Sequence, residues 1–129
     1  SSNETVFTSD IVITDWSTVA YEFAFATHKP CIFIDTPMKV GNPDWEELGI
    51  PPTDITLRDR VGVSLDPSDL SGLAETVEGM LGHQEEWAER IARVTRETVF
   101  NLGSGAEAAG EWVLGRLLEK QSERGADAA

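Results

Sequence analysis

Cysteine is nearly absent from this chain. Cys31 stands alone among 129 residues, so no intrachain disulfide can form. A chain of this length buries roughly two-thirds of its unfolded surface and needs no disulfide staple to hold a core. Basic residues are also scarce. Ten Lys and Arg oppose 23 Asp and Glu, a formal net charge of −13. That balance argues against broad contact with nucleic acid or with an anionic membrane surface, both of which require a basic face. It leaves room for a phosphorylated small ligand held by a few local donors. Histidine is limited to His28 and His83, and no His/Cys cluster with metal-ligand spacing exists. Apolar runs are short, and none approaches the ~20 residues of a membrane span. A Gly-rich phosphate loop, a Ser/His/Asp set and a redox cysteine pair are missing as well. With one cysteine and no visible signal sequence, a cytoplasmic location is the expectation.

What is present reads as alternating strands and helices. An apolar run, Ile11 to Ile13, stops at Thr14, Asp15, Ser17 and Thr18, and a helical pattern follows at once. Ile11–Thr14 is expected to be a buried strand, with Ser17 as N-cap of a helix whose apolar face holds Val19, Ala20, Phe23, Ala24 and Ala26. The helix should end at His28-Lys29-Pro30, because the residue before proline avoids the α region. Cys31–Ile34 is a second apolar strand. Strand, helix and strand with tight joins form a βαβ unit, which predicts parallel strands with a right-handed crossover. Asp35 to Arg60 contains Pro37, Pro43, Pro51 and Pro52 and lacks periodicity, the mark of a functional loop.

Val61–Leu65 reads as a third strand. Asp66, with Pro67 after it, predicts the cap of a helix carrying Leu70, Leu73, Ala74, Val77, Met80 and Leu81, stopped by Gly82. A further helix is expected from about Gln84 to Phe100, with Glu86–Arg90 and Glu89–Arg93 as favourable pairs. Asn101–Gly105 breaks the chain, and Ser104 and Glu107 give a capping-box pattern for a last helix. Residues 1–129 are expected to form a single α/β domain or domain fragment, with 121–129 as a frayed tail. Ser1 is not a methionine, and three strands are few for four helices. Both features suggest a piece of a longer protein.

The turn at residues 14–18, between the first strand and the helix that follows it, is the strongest candidate for chemistry. A strand that stops at hydroxyls and opens a helix directs free N–H groups and a positive dipole end toward an anion. Open α/β sheets hold their ligands at this edge. The same residues also serve as an N-cap and as turn hydrogen bonds. Glu22, about two helical turns after Asp15, can accept from ribose hydroxyls or be a solvated helix residue. Asp35 and Thr36 end the second strand on the same sheet edge. Arg58 and Arg60, and more weakly Lys39, can grip a phosphate, or can balance Asp54 and Asp59 at a loop rim. His28 and His83 sit at helix ends and lack a catalytic partner in sequence.

At Ser9-Asp-Ile-Val-Ile-Thr-Asp-Trp-Ser-Thr-Val-Ala-Tyr-Glu-Phe-Ala24 the chain resembles the CDP-glycerol glycerophosphotransferases of teichoic-acid-type polymer synthesis. Their pattern is a small residue, Asp, an apolar run, Thr-Asp, an aromatic, Ser-Ser, then an acidic-Phe-Ala segment. Lys29-Pro30 with its apolar strand, and more loosely Asn101–Gly105, follow suit. A related aspartate-turn-acidic pattern occurs in UDP-N-acetylglucosamine 2-epimerases and other GT-B enzymes. The resemblance implies a three-layer Rossmann-like parallel sheet, the C-terminal portion of a GT-B-type domain. It implies that Asp15, Ser17 and Thr18 meet the diphosphate of a nucleotide-activated donor, CDP-glycerol or similar, with Glu22 at the acidic position. Trp16 and Thr18 depart from the family's commoner tyrosine and serine, and Thr18 keeps its hydroxyl. No cofactor is implied. The polymer or lipid-linked acceptor and the family's catalytic histidines would belong to an upstream part, which would also supply any peripheral attachment at the cytoplasmic membrane. His28 and His83 match neither histidine. A UDP-dependent glycosyltransferase or 2-epimerase fragment and a non-catalytic α/β module stay open as alternatives. Thin parallel edges would favour self-association of the piece.

Overall fold

Three short strands pair in the order β1-β2-β3, all parallel. The structure is a computed structural model and describes residues 4–39 and 41–126. The first helix, α1, is Glu4–Thr8. It is followed by β1 (Val12–Thr14), α2 (Val19–Thr27) and β2 (Cys31–Ile34). A 3-10 turn at Trp45–Leu48, α3 (Thr53–Thr56) and α4 (Arg58–Val61) lead to β3 (Gly62–Leu65). Then come α5 (Leu73–Gly82), α6 (Gln84–Thr98) and α7 (Gly105–Ala126). The chain divides into two compact units, residues 1–95 and 96–129. The first holds the sheet; the second holds α7.

Register sorts the strand residues by face, since side chains alternate along a strand. Val12 pairs with Cys31, and Cys31 with Gly62, so these three share one face with Phe33. There the main core gathers: Ala20, Tyr21, Phe23 and Ala24 of α2, Cys31 and Phe33 of β2, Leu57 and Val61, and Ile91 and Val94 of α6. Phe23, Phe33, Val61 and Ile91 are fully buried, each contributing roughly 1.5–3 kcal/mol of burial. Ile13, Ile32 and Val63 share the other face. Ile32 is fully buried, but Ile13 is 49% exposed. β1 therefore departs from the expectation of a buried strand: among the described residues it is an edge strand, with a neighbour on one side.

The joins are local chemistry. His28 adopts the left-handed conformation (φ 55°) and donates its N–H to the Ala24 carbonyl, ending α2 where Pro30 requires it. Gly62 lies against the backbone of β2: a Cβ there would come within 2.0 Å of the Cys31 carbonyl oxygen.

Several boundaries differ from expectation. The Pro-rich segment is not structureless; its last residues form α3 and α4. Asp66 does not cap a helix. Its carboxylate accepts from the Ser68 N–H and hydroxyl, Asp69 does the same with Ser71, and α5 begins only at Leu73. Asp and Ser two residues apart favour these local turns over a helix start. Arg90 is not held by Glu86: it covers the Trp87 ring at 4.9 Å and donates to the Asp59 carbonyl. Within the second unit, α7 continues through 121–126, where fraying was expected. Residues 127–129 lie outside the described residues.

Candidate functional site

The carboxyl ends of the parallel strands bring together four of the sequence candidates. Asp15 follows β1, Asp35 and Thr36 follow β2, and Arg58 opens α4 beside them. Arg58 is the centre of the cluster. Its side chain is only 7% exposed. Its guanidinium carbon lies 4.0 Å from the centre of the Trp16 ring and 4.5 Å from that of Phe33. Nη1 donates to the Asp15 carbonyl at 3.1 Å, and Nη2 donates to Asp35 Oδ1 at 2.5 Å. A flat cation that stacks and donates in two directions is what such a slot accepts. Arg58 is thus bound within the chain, not presented at a loop rim. It balances Asp35, not Asp54 or Asp59.

Trp16 is fixed in turn. Its indole N–H donates to the Thr36 carbonyl at 2.7 Å, joining the end of β1 to the end of β2. Lys39 reaches across from the following segment, with Nζ 3.0 Å from Asp15 Oδ2. Its hydrogen bond holds the Asp15 carboxyl below the ordinary carboxylate value. The Lys39 side chain is 67% exposed, so it can leave Asp15 for another anion at little cost.

Ser17 and Thr18 stand at the start of α2, but not as drawn from sequence. The cap is Thr18, in a helical conformation and without a side-chain capping bond. The Ser17 carbonyl accepts from Ala20, and the Thr18 carbonyl from Tyr21 and Glu22. The expected Ser17 side-chain cap is therefore replaced by backbone turns. Ser17 is half-buried and Thr18 exposed. Glu22 is exposed in the first turn of α2. There its charge favours the helix dipole and competes with any bound anion. Arg60 is half-buried in α4, two residues from Arg58.

Two openings adjoin the cluster. A shallow depression is lined by Trp16, Asp35, Arg58 and Ser64 among others. A narrower cleft of about 180 Å³ lies between Trp16 and Trp45. Trp45 was not among the sequence candidates. Its signal was a tryptophan in a segment rich in proline and glycine, where no core periodicity calls for one. A separate groove of about 440 Å³ runs between Val63, Met80, His83 and Trp87. There His83 Nδ1 lies 2.8 Å from the Gly79 carbonyl. His28 forms the end of α2 and joins no site.

Burial pushes the Cys31 thiol up to about 12, and it donates to the Ala20 carbonyl at 3.3 Å. It is a core residue and not a nucleophile. Burial, with the Asp54 charge nearby, raises the Tyr21 phenol to about 12. Its hydroxyl donates to the Asp54 carbonyl at 2.9 Å. No helix among the described residues is long and apolar enough to cross a membrane.

The site and fold define a mixed α/β unit with a small open parallel sheet and a polar cluster at its carboxyl edge. Compared with known protein families, characterised proteins and solved structures, the chain matches none.

Proposed function

We propose that the β1–α2 turn binds the diphosphate of a nucleotide-activated donor. The parent protein is then a transferase of the CDP-glycerol glycerophosphotransferase kind, and this chain belongs to a Rossmann-like, GT-B-type domain. One observation carries the reading: the Thr14–Thr18 hydroxyl cluster that carries the family resemblance lies at the carboxyl edge of a parallel sheet and opens a helix. That is where α/β ligands sit and where helix N–H groups meet anions.

Within this reading the roles differ from those the sequence suggested. The Ser17 and Thr18 hydroxyls and the Val19 N–H at the start of α2 receive the diphosphate. Lys39 is the mobile cation, exchanging Asp15 for a phosphate oxygen. Arg58 shapes the turn from behind through the Asp15 carbonyl. Charge on the departing nucleotide is stabilised by the hydroxyls and the helix N-terminus, with Lys39 joining them on binding.

The test is the double change Ser17→Ala, Thr18→Ala in the full-length enzyme. Donor affinity should fall by about 1–3 kcal/mol, the range for hydrogen bonds to charged groups. Unchanged affinity and turnover remove the assignment. Preference for UDP over CDP donors would move the reading to a sugar-nucleotide enzyme. A melting temperature indifferent to any nucleotide would leave a non-catalytic module.

A further inference from the structure

We propose that the groove between α5 and α6 is a docking site for a basic amphipathic helix of a partner protein. The groove shares no lining residue with the openings at the carboxyl-edge cluster. It stands whether or not the β1–α2 turn binds a donor.

Shape comes first. The groove holds about 440 Å³ and is more open than enclosed. Sites for small ligands bury most of the ligand's surface, whereas an open trough suits a helix laid along it. Its walls are helical stripes. α5 contributes Thr76, Gly79 and Met80, spaced i, i+3, i+4. Counting from His83, α6 contributes Glu86, Trp87 and Arg90 at i+3, i+4 and i+7. Such rows form the ridges against which another helix packs. Both walls are set in advance. His83 Nδ1 donates to the Gly79 carbonyl at 2.8 Å, and Arg90 covers the Trp87 ring while donating to the Asp59 carbonyl.

Gly79 points to the occupant. It lies inside α5, where glycine weakens a helix relative to alanine. Its φ is not in the left-handed region, and a Cβ there would meet nothing within 4 Å. Among the described residues, neither conformation nor contact calls for glycine at this position. A bare Cα on the groove wall lets a second helix axis come close. The floor supplies the apolar anchor: Met80 is buried, and Val63 and Trp87 are half-buried. Tryptophan and methionine are enriched where proteins meet.

Charge sets the sign of the partner. Over residues 73–90, Glu75, Glu78, Glu85, Glu86 and Glu89 oppose one basic residue, Arg90. The Arg90 guanidinium is already engaged by Asp59 and Trp87. Glu86 is exposed and lines the groove. A helix with leucines on one face and lysines along its edge meets both floor and rim.

The 129-residue chain is titrated by calorimetry with a synthetic peptide of about 14 residues, four helical turns. The peptide carries leucine and alanine on one face and lysine on the other. Three comparisons accompany it: a glutamate-for-lysine counterpart, an isomer with the same residues in period-two order, and phosphatidylcholine vesicles. The helical lysine peptide should bind most tightly and gain helicity by circular dichroism. Gly79→Leu fills the trough with a better helix former. It should keep or raise the melting temperature and weaken the peptide about ten-fold or more, the scale of a central interface contact. Gly79→Ala should act the same way in smaller measure, and it carries the test if leucine unfolds the chain. Glu86→Lys should weaken the peptide about five-fold at low salt. Asp44→Lys, an equal change of charge outside the groove, should not. Affinity that ignores both Gly79 variants, or that falls equally with Asp44→Lys and Glu86→Lys, reduces the binding to net charge and overturns the groove. A tighter period-two isomer would put an extended strand there, and tighter vesicles a membrane surface. Either of these, equal binding of the glutamate peptide, or no peptide binding at all overturns the proposal.

Discussion

The Arg58 guanidinium lies 4.0 Å over the Trp16 indole and ties the Asp15 carbonyl to the Asp35 carboxylate. One buried cation thus fixes the ends of two adjacent strands. Arg58→Ala should cost about 2–4 kcal/mol, below the full penalty for breaking a buried pair, because Asp35 is half exposed and stays solvated. Arg58→Lys should recover less than half, since an ammonium neither stacks flat nor donates in two fixed directions. Urea unfolding of the three proteins checks this. A wild-type midpoint for Arg58→Ala would mean that the guanidinium is not structural.

Gly62 is required by contact, not by conformation. Its backbone is extended (φ −170°), which any residue can adopt, but a Cβ would meet the Cys31 carbonyl. Gly62→Ala should force β3 away from β2 and cost about 3 kcal/mol or more. Gly72→Ala meets nothing within 4 Å and should stay near wild type. Equal melting temperatures for the two variants would refute the close approach.

Alkaline pH should destabilise the fold. The Cys31 thiol and Tyr21 phenol stand at about 12, against ordinary values of 9.0 and 10.0. Both are acids whose folded pKa is raised. Their stabilisation is complete below pH 9 and is lost as pH rises toward 12, because the unfolded chain releases its protons first. Melting temperature should fall across that window, less steeply in Cys31→Ala. Labelling of Cys31 by a thiol reagent at pH 8 should track global unfolding. Rapid labelling of the native protein would contradict the burial.

Among the described residues β1 has one partner, and Ile13 is 49% exposed on the sheet face. An edge of this kind templates pairing with another chain. Sedimentation of the 129-residue chain should show association that grows with concentration, despite the −13 charge. Ile13→Lys should shift it to monomer. A wild-type chain that stays monomeric throughout would rule the edge out as an interface.

The elements readable from sequence were those decided locally. Cys31–Ile34 is a continuous apolar run between Pro30 and Asp35, and it forms β2 with those bounds. The start of α5 was not readable, because Asp66-Pro67-Ser68-Asp69 suits a helix entry and paired aspartate turns equally, and the Ser hydroxyls tip the balance to turns. The burial of Arg58 was not readable for another reason. A rim arginine and a buried one look alike in sequence, and the partners that distinguish them lie 23 and 43 residues away. The Trp16–Trp45 cleft is likewise a product of tertiary approach.

Tyr21 reaches from α2 to the Asp54 carbonyl, 33 residues on. Its ring stays in the core, stacked with Phe33 at 5.9 Å. The hydroxyl therefore ties one wall of the tryptophan cleft to α2. A neutral hydrogen bond contributes about 0.5–1.5 kcal/mol net, so Tyr21→Phe should loosen that wall by about this amount. The core would hardly register the loss. That tether is a single oxygen atom whose pKa burial raises to about 12, so it keeps its proton far above neutral pH.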